Sequence, residues 1–194
     1  GIEIDPEAGE IAGRHCDSMI IGDIEKLDLD AYLAPSSFDI IMFGDVLEHL
    51  VSPEDALRKV KKYLRPSGYL AVSLPNVCHG DIILNLLMGN FEYTSMGLLD
   101  ATHLRFFGLR NIIDLFTRCG YSVTDVRTTV LAVGNTEQRV DPGAVPEDLA
   151  DFVKSLPNAN VYQYVFKASP SSAPEAVEAA PVPDLDDLFH EAIE

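Results

Sequence analysis

Two neighbouring stretches decide the predicted fold: FDIIMFGDVLEHL at residues 38–50 and LRPSGYLAVSLPN at residues 64–76. The first opens with an apolar run rich in Ile and Phe, which is typical of a strand buried on both faces between helices. The second returns as another apolar strand over residues 69–74. Between them, Ser52 and Pro53 supply an N-cap and a proline at the first helical position. The pattern predicts two parallel strands joined by a crossover helix.

The crossover helix is predicted to be amphipathic. Ala56, Leu57 and Val60 recur at helical spacing, which places them on one buried face. The segment at residues 66–68, Pro-Ser-Gly, is predicted to stop the helix as a turn. The basic residues of this region are predicted to face solvent and to favour the carboxyl end of the helix dipole. They are Arg58, Lys59, Lys61, Lys62 and Arg65.

Bulk composition restricts the class of protein. The 194 residues suffice for one domain, and the net charge of −17 opposes binding to a nucleic-acid backbone, so no nucleic-acid partner is expected. The three cysteines form no CxxC pair, which favours a reducing cytoplasm over a disulfide framework or a cysteine zinc site. No apolar run approaches the ~18 residues of a membrane span, so no membrane partner is expected. The oligomeric state stays open.

The segment at residues 38–76 resembles the central part of class I S-adenosylmethionine (SAM)-dependent methyltransferases. In that pattern a buried parallel strand runs into an acidic loop, a helix crosses the sheet, and a second apolar strand follows. The resemblance covers residues 1–168 and implies an α/β fold with a Rossmann-like, mostly parallel sheet. Residues 121–133 and 161–166 alternate in polarity and are expected to form the antiparallel hairpin that closes the sheet.

The resemblance also implies a set of cofactor residues at strand ends. Glu3 matches the ribose-binding carboxylate of the family, and Asp5 is the alternative because both side chains point the same way along a strand. Asp23 matches the acid of a pair that flanks the adenine ring. The carboxyl end of the fourth strand is where ligands bind in open parallel sheets. The implied cofactor-binding residues are Glu3, Asp5, Asp23, Ile24, Gly44 and Asp45.

The family's first strand and its Asp-x-Gly-x-Gly-x-Gly loop do not precede Glu3 in this sequence. We therefore expect an N-terminally truncated fragment. Loss of that strand opens a gap of about two ~4.8 Å strand spacings between the second and fourth strands, whose edges either close up or stay apart. The missing loop lets the backbone approach the cofactor. We expect this chain alone to bind SAM weakly or not at all, and to be inactive.

The acidic loop after the fourth strand is a candidate metal site. Asp45, Glu48 and His49 share a face if residues 45–50 turn helically. Similar acid-x-x-Glu-His stretches in the ubiquinone-biosynthesis O-methyltransferases contribute to a divalent-metal site, so the resemblance implies a hard ion such as Mg²⁺ on these three residues. The alternative is that Glu48 and His49 only cap and orient the loop beneath the cofactor.

A second candidate cluster is DATHLRFF at residues 100–107. It resembles a stretch in methyltransferase domains found near glycosyltransferases and polysaccharide gene products. There His103 can act as general base toward an acceptor hydroxyl, and Arg105 can hold a carboxylate or phosphate. The alternative is a hydrogen-bond network of Asp100, His103 and Arg105 that fixes the loop, and His79 is a weaker candidate. The implied catalytic residues are His103, His49 and Asp45.

These features predict a SAM-dependent methyltransferase acting on a small-molecule or sugar-type acceptor, at a hydroxyl oxygen. A dehydrogenase is disfavoured because no Tyr-x-x-x-Lys dyad occurs. Residues 169–194 turn to Pro, Ala, Ser and acid without Lys or Arg, which predicts a disordered acidic tail. The alternative function is a non-catalytic Rossmann-like binding or scaffold domain whose tail recruits a partner.

Overall fold

A computed structural model of the chain describes residues 1–171, and these contain six β-strands and five α-helices. The strands are β1 (Ile2–Glu3), β2 (Ile20–Ile21), β3 (Phe38–Gly44), β4 (Leu64–Pro75), β5 (Tyr121–Val130) and β6 (Val161–Pro170). The helices are α1 (Pro6–Ala12), α2 (Pro53–Lys61), α3 (Gly80–Leu87), α4 (Leu109–Arg118) and α5 (Glu147–Lys154).

The strands form two sheets. β1 and β2 pair in parallel, while the larger sheet has the order β3-β4-β6-β5. In it β3 and β4 are parallel, and β6 lies antiparallel between β4 and β5. The predicted Rossmann-like α/β class is confirmed, together with the parallel β3-α2-β4 unit and the closing antiparallel hairpin. None of the helices at residues 1–171 is both long enough and apolar enough to cross a membrane.

The facing edges of the two sheets stay apart. Within residues 1–171, β1 and β3 have no ladder between them. The apolar side chains of β3 are consequently exposed: Phe38 by 37%, Ile40 by 48% and Met42 by 77%. A cleft therefore separates the β1-β2 pair from the larger sheet.

Helix α2 packs its predicted face on the core. Ala56, Leu57 and Val60 are buried there, together with Ile112 and Phe116 of α4. Pro53 stands at the first helical position and acidic residues occupy the first turn, as the helix signals predict. The two helices fix the larger sheet, whose carboxyl strand ends carry the candidate site.

The start of β4 differs from the prediction. The Pro-Ser-Gly segment at residues 66–68 lies inside β4 and not in a turn after α2. Phe38 pairs with Leu64 but Ile40 pairs with Tyr69, so residues 65–68 bulge out of the ladder. A bulge tolerates proline because the extra residues need no ladder N–H.

The last strand, β6, extends past residue 168, where the sequence predicts the domain to end. β6 continues through Pro170 and pairs there with Tyr121, so Ser169 and Pro170 belong to the sheet. The physical reason is the length of the partner: β5 begins at Tyr121 and offers two more ladder positions. The rest of the predicted acidic tail, residues 172–194, lies outside the described residues.

Candidate active site

The cleft between the two sheets has a volume of about 840 Å³, a size suited to a small-molecule ligand. The loops that follow β1, β2 and β3 form its polar wall. Most of the implied cofactor residues line it, and so does one of the implied catalytic histidines. These residues are Glu3, Asp23, Ile24, Gly44, Asp45 and His49.

Glu3 and Asp5 have different roles although they are two residues apart. Oε1 of Glu3 accepts hydrogen bonds from the backbone N–H groups of Ile4 at 2.8 Å and Asp5 at 3.0 Å, which fixes the carboxylate at the end of β1. The Asp5 carboxylate caps α1 by accepting the N–H of Ala8 at 2.8 Å. Glu3 lines the cleft, and Asp5 is not among its lining residues.

Asp23 is held ionised at the mouth of the cleft. The ammonium group of Lys26 lies 2.8 Å from its carboxylate, and the N–H of Glu25 donates to Oδ1 at 2.9 Å. The hydrogen bond from Lys26, followed by that from Glu25, lowers the pKa of Asp23. Its neighbour Ile24 supplies an apolar surface in the same wall.

A clamp formed by Lys59 and Glu25 holds this loop against α2. Nζ of Lys59 donates to the carbonyl oxygens of Ile24, Glu25 and Leu27, at 2.8, 2.9 and 3.2 Å. The Glu25 carboxylate accepts the backbone N–H groups of residues 51–52, directly before the helix. The prediction that Lys59 faces solvent was therefore wrong, because the long side chain folds back over the preceding loop.

Asp45 adopts an unusual backbone conformation at the end of β3. Its φ is 51°, in the left-handed region that costs a non-glycine residue about 1–3 kcal/mol. The N–H of Asp45 donates to Oγ of Ser73 at 3.1 Å, and its Oδ1 accepts from Nε2 of Gln163 on β6. Contacts from β4 and β6 thus hold the strained residue, and a 3₁₀ turn at Leu47–His49 follows.

Glu48, His49 and His103 converge beside the cleft. One potential ligand atom from each lies within 4.8 Å of the others. Glu48 is 1% exposed, and neither of its carboxylate oxygens has a hydrogen-bond partner; Nδ1 of His103 is likewise buried and unpartnered. Burial, reinforced by the charge of Asp45, raises the pKa of Glu48 to about 8.

The two histidine rings pack edge to face. Their centroids are 4.9 Å apart with an interplanar angle of 74°. Burial, followed by the neighbouring charge of His49, lowers the pKa of His103. His103 is therefore neutral near pH 7. Only His49 of the pair is among the residues that line the cleft.

Arg105 anchors the loop that carries His103. The backbone N–H groups of Leu104 and Arg105 donate to the carbonyl oxygen of Glu48 at 2.8 and 3.0 Å. The guanidinium of Arg105 donates to the carbonyl of Val51. These bonds tie the loop to the 3₁₀ turn and the segment after it, which agrees with the loop-fixing alternative for Arg105.

His79 is a structural residue. It is fully buried, with Nε2 2.9 Å from the carbonyl oxygen of Leu131, while Nδ1 accepts the N–H of Asp81 at 3.1 Å. Both ring nitrogens are satisfied by backbone groups, so His79 has no free nitrogen for chemistry.

Comparison with known proteins assigns the family. A family model described as a methyltransferase domain matches residues 1–126, well over half of the chain. The chain belongs to this methyltransferase family. The chain also shares 37% identity over 60 residues with the tRNA 5-carboxymethoxyuridine methyltransferase of Escherichia coli K12. That match spans 31% of this chain but only 23% of the E. coli enzyme.

Solved structures of methyltransferases share the fold. A SAM-dependent methyltransferase of Thermotoga maritima, described as a possible histamine N-methyltransferase, has a TM-score of 0.59 at 17% identity, covering 88% of this chain and 72% of its own. A SAM-dependent methyltransferase of Methanosarcina mazei has a TM-score of 0.55 at 15% identity, covering 88% and 81%. A SAM-dependent methyltransferase of Archaeoglobus fulgidus has a TM-score of 0.54 at 17% identity, covering 87% of this chain and 74% of its own.

The chain does not assemble the expected Mg²⁺ ligands. Asp45 lies outside the converging group, because the helical turn starts at Leu47 and Oδ1 of Asp45 bonds to Gln163. The converging set offers one carboxylate and two imidazoles, whereas Mg²⁺ prefers an octahedron of oxygen ligands. These residues therefore do not fit Mg²⁺.

Several residues that shape the site escaped prediction from sequence. Gln163 contacts Asp45 although 118 positions separate them in the sequence, and Ser73 contacts Asp45 although 28 positions separate them. No local sequence signal indicates either contact. Thr102 does have a local signal, because its hydroxyl lies between an acid and a histidine in the segment Asp-Ala-Thr-His. Its oxygen lies 3.2 Å from Nδ1 of His49.

Proposed function

We propose that the protein transfers the methyl group of SAM to a hydroxyl oxygen of a small-molecule or sugar-type acceptor. One observation carries the proposal: Glu3, Asp23, Asp45 and His49 line the same cleft. That arrangement offers a cofactor-binding wall and a proton acceptor side by side. Membership of the methyltransferase family supports the reaction class.

In this proposal the wall of the cleft binds the cofactor. The Glu3 carboxylate accepts hydrogen bonds from the ribose hydroxyls. Two backbone N–H groups already fix its Oε1. Asp23 and Ile24 flank the adenine. Gly44 and Asp45 border the reacting end, since they close β3 at the sheet edge where ligands bind.

SAM supplies an electrophilic methyl group on its sulfonium sulfur. The chain must align the acceptor and remove one proton. His49 accepts the hydroxyl proton as the acceptor oxygen bonds to the methyl carbon and the carbon–sulfur bond breaks; the proton then passes to solvent. His103 packs against that ring as a neutral neighbour, which avoids a second positive charge beside the imidazolium of His49.

The charge of the chain supports a small acceptor. A net charge of −17 opposes a polyanion. The E. coli relative is named a tRNA methyltransferase, but the match spans 23% of that enzyme. The three described cysteines are all free thiols, which supports a reducing cytoplasm.

The experiment is a transfer assay on the full-length protein with SAM labelled in its methyl group. Hydroxylated small molecules, sugars and tRNA are offered in parallel. Label in an ether of a small molecule or sugar supports the proposal, and His49→Gln should abolish most of it. Label in tRNA alone would overturn the acceptor class, and no transfer to any acceptor would favour the scaffold alternative.

A further inference from the structure

We propose that Thr102 and Asp100 are positioning residues that hold His49 with its proton on Nδ1 and its lone pair on Nε2. The inference rests on the proposed role of His49 as proton acceptor and deepens it. A neutral imidazole can accept a proton only at the nitrogen that carries no hydrogen. The choice of tautomer therefore decides whether His49 can act.

A short chain of hydrogen bonds leads from Asp100 to His49. The Thr102 hydroxyl donates to Oδ1 of Asp100 at 2.6 Å, and its oxygen lies 3.2 Å from Nδ1 of His49. The carbonyl oxygen of Thr102 lies 3.3 Å from the same nitrogen. Nδ1 of His49 thus faces two oxygens of one residue.

The hydrogens along this chain can be assigned one by one. Hydrogen bonds from the hydroxyl and the N–H of Thr102 lower the pKa of Asp100, so its carboxylate is ionised near pH 7 and can only accept. The single hydroxyl hydrogen of Thr102 goes to that carboxylate. The hydroxyl oxygen then presents lone pairs to His49, as the carbonyl oxygen does, so Nδ1 of His49 must donate.

The loop that carries Thr102 is itself fixed. Oδ1 of Asp100 accepts the backbone N–H of Thr102 at 2.7 Å, and the carbonyl of Asp100 accepts the N–H of His103 at 3.0 Å. The next two residues bond to the carbonyl of Glu48, immediately before His49. Thr102 is therefore pre-organised against the imidazole.

The arrangement works against the intrinsic preference of the side chain. A neutral imidazole free in water favours the tautomer with its proton on Nε2. The two oxygens of Thr102 that face Nδ1 reverse that preference. If the proton were on Nε2, a lone pair on Nδ1 would face a lone pair on each of these two oxygens. The orientation of a histidine through its second nitrogen is a general means of setting its chemistry.

The test is the tautomer of His49, read from the nitrogen-15 shifts and two- and three-bond couplings of its ring in full-length protein, at a pH where the ring is neutral. We expect the Nδ1–H form in the wild type and in Thr102→Ser, which keeps the hydroxyl. Thr102→Val, of nearly the same shape, and Asp100→Ala, which frees the hydroxyl hydrogen, should both shift His49 toward the Nε2–H form.

A predominant Nε2–H form in the wild type would overturn the proposal. Retention of the Nδ1–H form in Thr102→Val would also overturn it, since the carbonyl alone would then suffice. With an acceptor in hand, Thr102→Val should lower kcat by roughly tenfold or more at unchanged SAM affinity, and Thr102→Ser should restore it. Failure to find any methyl acceptor would count against the proposed function, but it would leave the tautomer result intact.

Discussion

The ammonium nitrogen of Lys59 lies 2.8 Å from the carbonyl oxygen of Ile24. It joins the crossover helix α2 to the wall of the cleft that the proposal gives to adenine. Two further carbonyls of the same loop share the ammonium group, so a single side chain orders the backbone there. The order of this wall of the cleft thus depends on a residue of the supporting helix.

Lys59→Met should therefore affect both stability and cofactor binding. Loss of the charge-assisted bonds of a half-buried ammonium should cost about 1–2 kcal/mol in the free energy of unfolding. SAM affinity should fall roughly three- to tenfold, because the loop must then be ordered on binding. Urea unfolding and calorimetry measure the two effects. The matched control is Arg58→Met on the same helix, because the exposed ion pair of Arg58 with Asp55 should contribute little to stability. Equal effects of the two changes would contradict the role of Lys59 in ordering the loop.

Glu48 should make the stability of the fold depend on pH. Its pKa is about 8 in the folded chain against an ordinary 4.5, so the folded state retains a proton that the unfolded state releases between those values. The contribution of Glu48 to the free energy of unfolding is complete below about pH 4.5. It falls progressively as the pH rises, by at most about 1.4 kcal/mol per pH unit, and is lost once the pH has passed about 8.

Glu48→Gln should remove this dependence. Urea unfolding of both proteins at pH 5, 6, 7 and 8 measures it, in buffer containing a chelator. The wild type should lose stability relative to the variant as the pH rises. A constant difference between the two proteins across this range would show that Glu48 keeps an ordinary pKa.

Metal removal should leave methyl transfer intact. The converging donors do not suit Mg²⁺, and the proposed chemistry needs only a proton acceptor. Activity of the full-length enzyme should be unchanged by excess EDTA. Loss of activity in EDTA with recovery on addition of Mg²⁺ or Mn²⁺ would contradict the account of this site.

The chain should be least protected against amide hydrogen exchange along the β1-β2 edge. β1 has two ladder residues and no ladder to β3, so few backbone hydrogen bonds hold its amide hydrogens against exchange. Amide hydrogens of residues 1–30 should exchange faster than those of β4, which is paired on both sides. Exchange at equal rates would contradict this.

The same open edge should promote aggregation of the isolated chain. Met42 is 77% exposed on β3, so Met42→Lys should raise solubility without lowering the melting temperature. Light scattering during a thermal ramp measures both. A monomeric wild-type chain with a sharp melting transition and measurable SAM binding would show that the open edge does not promote aggregation.

Local signals account for the parts of the fold that could be predicted. Proline at the first helical position and apolar spacing specify α2, and the flanking apolar runs specify β3 and β4. The bulge at residues 65–68 could not be predicted, because a Pro-Ser-Gly segment fits a turn as well as a bulge and only pairing with β3 decides.

The candidate site was predictable at strand ends and not beyond them. Carboxyl ends of parallel strands meet at one edge, which brings Glu3 and Asp45 to one cleft. The expectation that Asp45 joins Glu48 assumed helical backbone, whereas Asp45 is left-handed. Its contact with Gln163 depends on the insertion of β6 beside β4, a tertiary event with no local signature.

Two carboxylates two residues apart allow the most direct test of the central claim, that this cleft binds SAM. The measurement is the calorimetric dissociation constant of SAM for the full-length protein and for two amide variants, Glu3→Gln in the cleft and Asp5→Asn on the α1 cap. We predict that Glu3→Gln weakens SAM binding by about 1–3 kcal/mol, roughly 5- to 150-fold, through the loss of charge-assisted hydrogen bonds. Asp5→Asn should leave binding unchanged, since asparagine also caps helices. Unchanged affinity in Glu3→Gln, or weakening by Asp5→Asn alone, would contradict it.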